Sequence, residues 1–273
     1  FQTKGELALE QLDRILSDGY KISCVVADAD YGDRFEFRTG IAKRGLYFAA
    51  GLRPMTVVYP EKPRIISGDP PGGTGRRGRP KTARLEKKTK GPISVREYET
   101  RLSEKEWKTF KWTNSPNGEE LSAECAVVRV TPAGRRRPAI THEECWLIIE
   151  HRSDGTRYYF SNLPEDTDAD EIVRIIHSRW PIEQSYRNMK NELGFDHFAG
   201  RKWEGWCHHA VLTVVAYTFL ELERHQGTAK EDMPPFPALR TFVHRIFLAL
   251  HVATNQETYS LVVDFHRRPP LRI

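Results

Sequence analysis

Val25–Asp33 reads VVADADYGD. Two β-branched residues lead into three acids and a glycine, so an apolar strand ends in a cluster of carboxylates. The stretch before it, Glu6–Asp18, places Leu7, Ala8, Leu12, Ile15 and Leu16 at helical spacing. Gly19 follows as a helix stop. After the cluster, FEFRTGIAKRG reads as a second helix ending at Gly45, and LYFAAGL as a second strand. Helix, strand, helix, strand is α/β layering. In open α/β sheets ligands gather outside the carboxyl ends of the strands. Asp28 stands at such an end. Asp30 and Asp33 beside it read as turn residues.

The pattern changes after Pro54. Pro and Gly crowd PEKPRIISGDPPGGTGRRGRPKT, which predicts a long loop. Between Lys62 and Lys90 ten Lys and Arg residues face only Asp69 and Glu86, so this window holds more positive charge than the chain's net +5. Concentrated basic charge points to a polyanion partner. The GGTGRRGRP segment lacks the GxxxxGK[ST] pattern of a phosphate-binding loop. It reads either as a surface linker or as a DNA contact through Arg76, Arg77, Arg79 and Lys81.

A short helix is expected within SVREYETRLSEKEWKTF, followed by strands in AECAVVRVTP, ECWLIIEHR and TRYYFSNL. Asp154-Gly155 joins the last two as a hairpin turn. The middle of the chain therefore reads as a β-rich insertion splitting an α/β domain. Beyond it the chain turns helical. Asp168 and Glu171 resemble a capping box at the start of DEIVRIIHSRW. Pro181 opens a further helix, PIEQSYRNMKNEL, that stops at Gly194. A long helix over residues 203–225 is apolar on nearly every face and is expected to be buried.

On the helix after Pro181, Arg179, Glu183, Arg187 and Lys190 recur at steps of four, four and three, and Tyr186 joins their face. Alone, such a stripe is the solvated side of a helix. With Asp28 it gains a second meaning. A carboxylate from a strand end and one from a distant helix supply the oxygen ligands that hard divalent ions take. Two such ions activate a water or a 3′-hydroxyl and stabilise the leaving oxygen of a phosphodiester. Arg and Lys beside the Glu suit backbone phosphates.

Several segments in order, GRRGRP, KGPISV, YYFSNLPEDT, RWPIEQSYRNMKNELGFDHFAGRKWEGW and HHAVL, resemble one branch of the bacterial insertion-sequence transposases of the DDE type. The resemblance implies a ribonuclease-H-like catalytic domain with a β-strand insertion before the last catalytic Glu. It implies Asp28 as the second catalytic Asp and Glu183 as the third catalytic residue, both metal ligands. Arg179 and Lys190 match the Arg and Lys of that branch's Tyr-Arg-Glu-Lys signature, whereas its Tyr position is Ile176. The resemblance divides the chain into catalytic residues 1–54, a basic loop and β-rich insertion over 55–165, a Glu-bearing second catalytic part over 166–226, and a linker with a C-terminal helical region over 227–273. It further implies two Mg2+ or Mn2+ ions and double-stranded DNA as partner, both the inverted terminal repeats and the target. A homodimer bringing two element ends together, in the bacterial cytoplasm at the nucleoid, completes it.

The first catalytic Asp of that family lies on an upstream strand. Asp13 and Asp18 fall on an amphipathic helix instead, so the chain is expected to begin inside the fold, truncated before that Asp. Two other functions remain open. A catalytically dead or repurposed DNA-binding remnant would keep its binding in Asp28→Asn, and a ribonuclease-H-like nuclease outside transposition would cleave without joining strands. Paired His208 and His209 read as packing or DNA contacts, since no third ligand stands at i+4. Trp180, Trp203, Trp206, Trp112 and Trp146 read as core residues or as a platform for a flipped base. Cys24, Cys125, Cys145 and Cys207 form no CxxC pair, which fits a reducing compartment and no zinc ribbon. No apolar run is long enough for a membrane span.

Overall fold

The computed structural model describes residues 2–63, 65–67, 83–85, 90–113, 120–133, 144–225 and 234–255. The chain forms two units, Phe1–Trp180 and Pro181–Ile273.

The first unit begins with α1 (Lys4–Ser17), started by Thr3 and Glu6 in a reciprocal capping box. β1 (Cys24–Ala27), α2 (Ala29–Gly32), α3 (Phe35–Ala42) and β2 (Tyr47–Leu52) follow. β1 and β2 run parallel, with Cys24 opposite Tyr47 and Ala27 opposite Ala50. A parallel pair requires a crossover, and α2 with α3 supplies it. Arg44 grips Asp13 through two bonds of 2.6 Å, fixing α1 to the end of α3. Asp13, one of the acids left aside above, is thus a structural partner.

Next come β3 (Val57–Tyr59), β4 (Ile65–Ser67), β5 (Ala83–Leu85), β6 (Ile93–Ser94) and α4 (Val95–Glu99). β4 and β5 form a separate two-stranded sheet among the described residues. The short helix expected within residues 94–109 is α4, which ends at Glu99. Ser103 and Glu106 cap only a single 3-10 turn, and Trp107 already begins β7 (Trp107–Thr113). Strand pairing overrides helical propensity here: β7 pairs along its whole length with the first part of β8 (Glu120–Pro132), Trp107 opposite Ala126 through Thr113 opposite Glu120. β9 (Cys145–Arg152) and β10 (Gly155–Ser161) form the expected hairpin. Gly155 takes φ 124°, a conformation open to glycine and strained for other residues. α5 (Ala169–His177) closes the unit. Asp168 stands at its N-cap but makes no side-chain cap bond.

The main sheet has the order β1-β2-β10-β9-β8-β3-β6, with β7 also on β8. The fold is mixed α/β with a mixed sheet. Strands from the β-rich middle hydrogen-bond directly onto β2, so they continue the sheet that β1 starts. β9 is central and buried on both faces. Leu147 and Ile149 enter a cluster with Leu12, Phe37, Ile41 and Phe160, while Ile148 enters a second cluster with Phe110, Trp112, Ile172 and Val173. Leu147, Ile148 and Ile149 are each 0% exposed, and each such side chain contributes about 1.5–3 kcal/mol. β1 was expected to be buried and is only half-buried, as befits an edge.

Beside Ile148 the same face holds Glu150, which is 0% exposed. Its Oε1 lies 2.9 Å from Arg152 Nε and 3.2 Å from His177 Nε2. Tyr159 donates its hydroxyl to Oε2 at 3.1 Å. Arg152 can only donate, so at 3.3 Å it makes His177 Nδ1 an acceptor. The His177 ring stacks on Trp112 at 3.7 Å. This buried network ties α5 to β7, β9 and β10. Burial pushes the Glu150 carboxyl up, but His177 and Arg152 outweigh it and hold it below its ordinary value.

The second unit is helical: α6 (Trp180–Leu193), whose first residue ends the first unit, then α7 (Trp203–His225) and α8 (Phe236–Thr254). Tyr217 of α7 donates to Ser185 of α6 at 2.9 Å, and Arg240 of α8 pairs with Glu192 of α6 at 3.2 Å. Tyr217 also stacks near Phe236, with ring centroids 5.3 Å apart. Composition predicts a buried α7, and its own unit covers it in part. Only Thr213 and Leu220 are buried on it, because α6 and α8 engage a single side.

Candidate active site

The acidic turn after β1 is built from tight backbone packing. Asp28 is the N-cap of α2, and its Oδ1 accepts from the backbone N–H of Asp30 at 3.0 Å and of Tyr31 at 3.4 Å. The turn lies against β2. A Cβ on Gly51 would meet Ala29 N at 2.9 Å and Asp28 C at 3.2 Å, and one on Gly32 would meet Gly51 O at 2.1 Å. Only glycine allows this approach, so Gly32 and Gly51 hold the carboxylate in place. The sequence reading missed them, although a glycine inside a strand signals such an approach. Arg38, buried, donates to Gly32 O and lies over the Phe160 ring at 5.2 Å, anchoring the turn to the core.

The three acids of the turn divide by partner. Asp30 pairs with Arg53 at 2.9 Å, both largely exposed. Asp33 accepts from the Thr56 hydroxyl. Their turn roles match the expectation. Asp28 keeps its side chain on the backbone cap, exposed at the strand end.

In the second unit, Glu183, Tyr186, Arg187 and Lys190 are all exposed on α6. The other side of α6 carries buried Met189, Ser185 on Tyr217, and Glu192 on Arg240. The charged stripe is therefore one face of a helix whose opposite face packs within its own unit. Glu183 stands in the first turn, where a carboxylate is favoured by the helix dipole. Arg179 precedes the helix and is half-buried. Arg76, Arg77, Arg79 and Lys81 lie outside the described residues.

His209 Nε2 donates to Gly194 O at 3.0 Å and packs against Phe198 and Trp206, a packing role, while His208 is exposed. Trp206 packs on Phe195 and Phe198 as well, whereas Trp203 is 73% exposed. In the first unit Trp112 is a core residue, and Trp146 donates to Pro164 O at 3.1 Å under the Arg129 guanidinium. Burial pushes the thiols of Cys24 and Cys125 up, to about 11 and about 12, so neither is a ready thiolate.

Among the described residues no group of three or more His, Cys, Asp or Glu side chains is gathered to hold a metal ion. Asp28 and Glu183 nonetheless offer carboxylate oxygens, the donor type that hard divalent cations take. Among the described residues no helix is long and apolar enough to cross a membrane. No curated protein matches the chain. The family model of the DDE superfamily endonucleases matches residues 1–118, the stretch that carries Asp28 and its turn, so this part of the chain is similar to a DDE-type, transposase-like family.

Proposed function

We propose that the chain is the catalytic part of a DNA transposase that cuts and joins DNA at the ends of an insertion sequence. The endonuclease family match gives the coarse function, a nuclease or transposase type of activity. The observation that carries the finer reading is the placement of Asp28. It is an exposed carboxylate at the carboxyl end of a parallel strand, fixed by two backbone bonds and two glycines inside the matched region.

In this reading the sheet belongs to a ribonuclease-H-like domain, with residues 1–54 and 166–226 as its catalytic parts and 55–165 as an insertion whose β8, β9 and β10 extend the same sheet. DDE superfamily enzymes generally use divalent metals. Asp28 and Glu183 are the residues that would hold Mg2+ or Mn2+, and bound ions would supply Lewis acidity and an activated oxygen nucleophile. Lys190, Arg187 and Arg179 bind the phosphates flanking the scissile bond, and Tyr186 orients the backbone beside them. The basic segment with Arg76, Arg77, Arg79 and Lys81 adds salt-dependent affinity for duplex DNA. Two ends must be cut in concert, so the working form is a homodimer.

A strand-cleavage and strand-transfer assay on DNA carrying the element's terminal repeats tests the proposal. Metal-dependent cleavage followed by joining supports it, with both steps lost in Asp28→Asn. Cleavage without joining or end preference would favour a nuclease outside transposition. Binding that survives Asp28→Asn, without any cleavage by the parent chain, would favour a DNA-binding remnant.

A further inference from the structure

β1 and β2 run parallel, so their carboxyl ends lie at the same end of the sheet. Ala27 stands opposite Ala50, which leaves Asp28 beside Gly51 and Arg53 two residues farther along. Residues two apart on an extended chain face the same side. Gly51 faces the acidic turn, since a Cβ on it would meet Ala29 N at 2.9 Å. Arg53 faces it too, with Nη2 2.9 Å from Asp30 Oδ1. Asp30 is the residue whose backbone N–H holds Asp28 Oδ1 at 3.0 Å. Asp28, Asp30 and Arg53 therefore form one run of contacts, complete within the first unit.

Stability does not account for this pair. Both side chains are 62% exposed, and exposed ion pairs contribute little to folding. The contact engages one guanidinium nitrogen and one carboxylate oxygen, whereas an Arg side chain carries five donors in a rigid fork. That fork matches a phosphate, which two of its N–H groups can grip at once. The surroundings ask for such a cation. A turn with three carboxylates, Asp28, Asp30 and Asp33, repels a phosphodiester, and a guanidinium beside it offsets that repulsion. The bond to Asp30 aims the guanidinium along the turn that holds Asp28 and is weak enough to exchange.

We propose that Arg53 is a DNA-positioning residue that exchanges Asp30 for a backbone phosphate beside Asp28. The inference deepens the proposed function and rests on it. Its test reads binding without metal, so it is separate from cleavage. The affinity of the full chain for a short fluorescein-labelled DNA duplex is measured by anisotropy across a salt series. Arg53→Ala should lower the slope of log K against log salt by about 0.9, the share of one phosphate contact, and weaken binding about 5-fold at about 0.15 M salt. Arg53→Lys keeps the charge and should restore the slope. Arg14→Ala removes an equally charged, exposed side chain that is also paired with a carboxylate, Glu10, and should leave the slope unchanged. Circular dichroism checks that each variant is folded. An Arg53→Ala slope equal to the parent's would overturn the proposal, as would equal losses in Arg53→Ala and Arg14→Ala, which would report net charge alone. A parent chain without affinity for DNA would overturn the proposed function together with it, whereas DNA binding that is indifferent to Arg53 would count against this inference only.

Discussion

Replacing Glu150 with Ala removes the centre of the buried network that joins α5 to the sheet. The carboxylate is 0% exposed, 2.9 Å from Arg152 Nε, 3.2 Å from His177 Nε2 and 3.1 Å from the Tyr159 hydroxyl. Truncation leaves Tyr159 without its acceptor and the buried His177 without the carboxylate beside its Nε2. Breaking a buried ion pair by removing one partner costs about 3–5 kcal/mol. Arg152 is 37% exposed and can turn toward water, which favours the lower end, about 3 kcal/mol. For a unit of this size each kcal/mol lowers Tm by about 2–4 °C, so a fall of roughly 6–12 °C is expected. Glu150→Gln keeps the shape and one acceptor for Tyr159, so its cost should be about half that. Urea unfolding followed by tryptophan fluorescence reads the change, because the Trp112–His177 stack lies at the site. A Glu150→Ala chain within 1 kcal/mol of the parent would refute the claim that this network fastens α5.

Other expectations follow from the same geometry. Because the Glu150 carboxyl is held below its ordinary 4.5, its stabilising share is present above that value and lost as pH falls through the lower folded value; acid titrations of Glu150→Gln should lack that component. Asp28→Asn should leave Tm nearly unchanged, since Asn caps as well as Asp, while abolishing DNA cleavage; a large loss of stability would mean the charge itself holds the fold. Gly51→Ala drives a methyl into the Asp28–Ala29 peptide, so about 1–3 kcal/mol of destabilisation is expected, together with reduced cleavage. Arg53→Ala breaks only an exposed pair and should cost less than about 1 kcal/mol in denaturant titrations.

Much of the first unit is legible from local pattern. α1 and α3 follow helical periodicity, β2 is an apolar run, and Asp154-Gly155 marks its hairpin because only a few residues accept that turn. What stayed hidden depends on distant partners. Trp107–Thr113 looks like the end of a charged helix until β8 is beside it, and pairing with residues 120–126 then fixes it as a strand. Glu150 sits in an apolar strand, WLIIEHR, where alternation alone would place it with Ile148 on the inner face. Nothing local announces that His177, Arg152 and Tyr159 neutralise it there. For α7 composition predicts burial, whereas α6 and α8 cover only the side with Thr213 and Leu220. Of the candidate site, Asp28 at a strand end and the α6 stripe were readable from spacing, whereas the glycine packing that holds Asp28 appears only when β1 and β2 are aligned.

The proposed function assigns both Asp28 and Glu183 as ligands of a divalent metal. Titration of Mn2+ into the chain, followed by electron paramagnetic resonance of the free ion, tests it most directly. The account predicts saturable binding that falls at least about 10-fold in Asp28→Asn and again in Glu183→Gln, with both variants folded. Binding that neither substitution weakens, or that only one of them does, would contradict it.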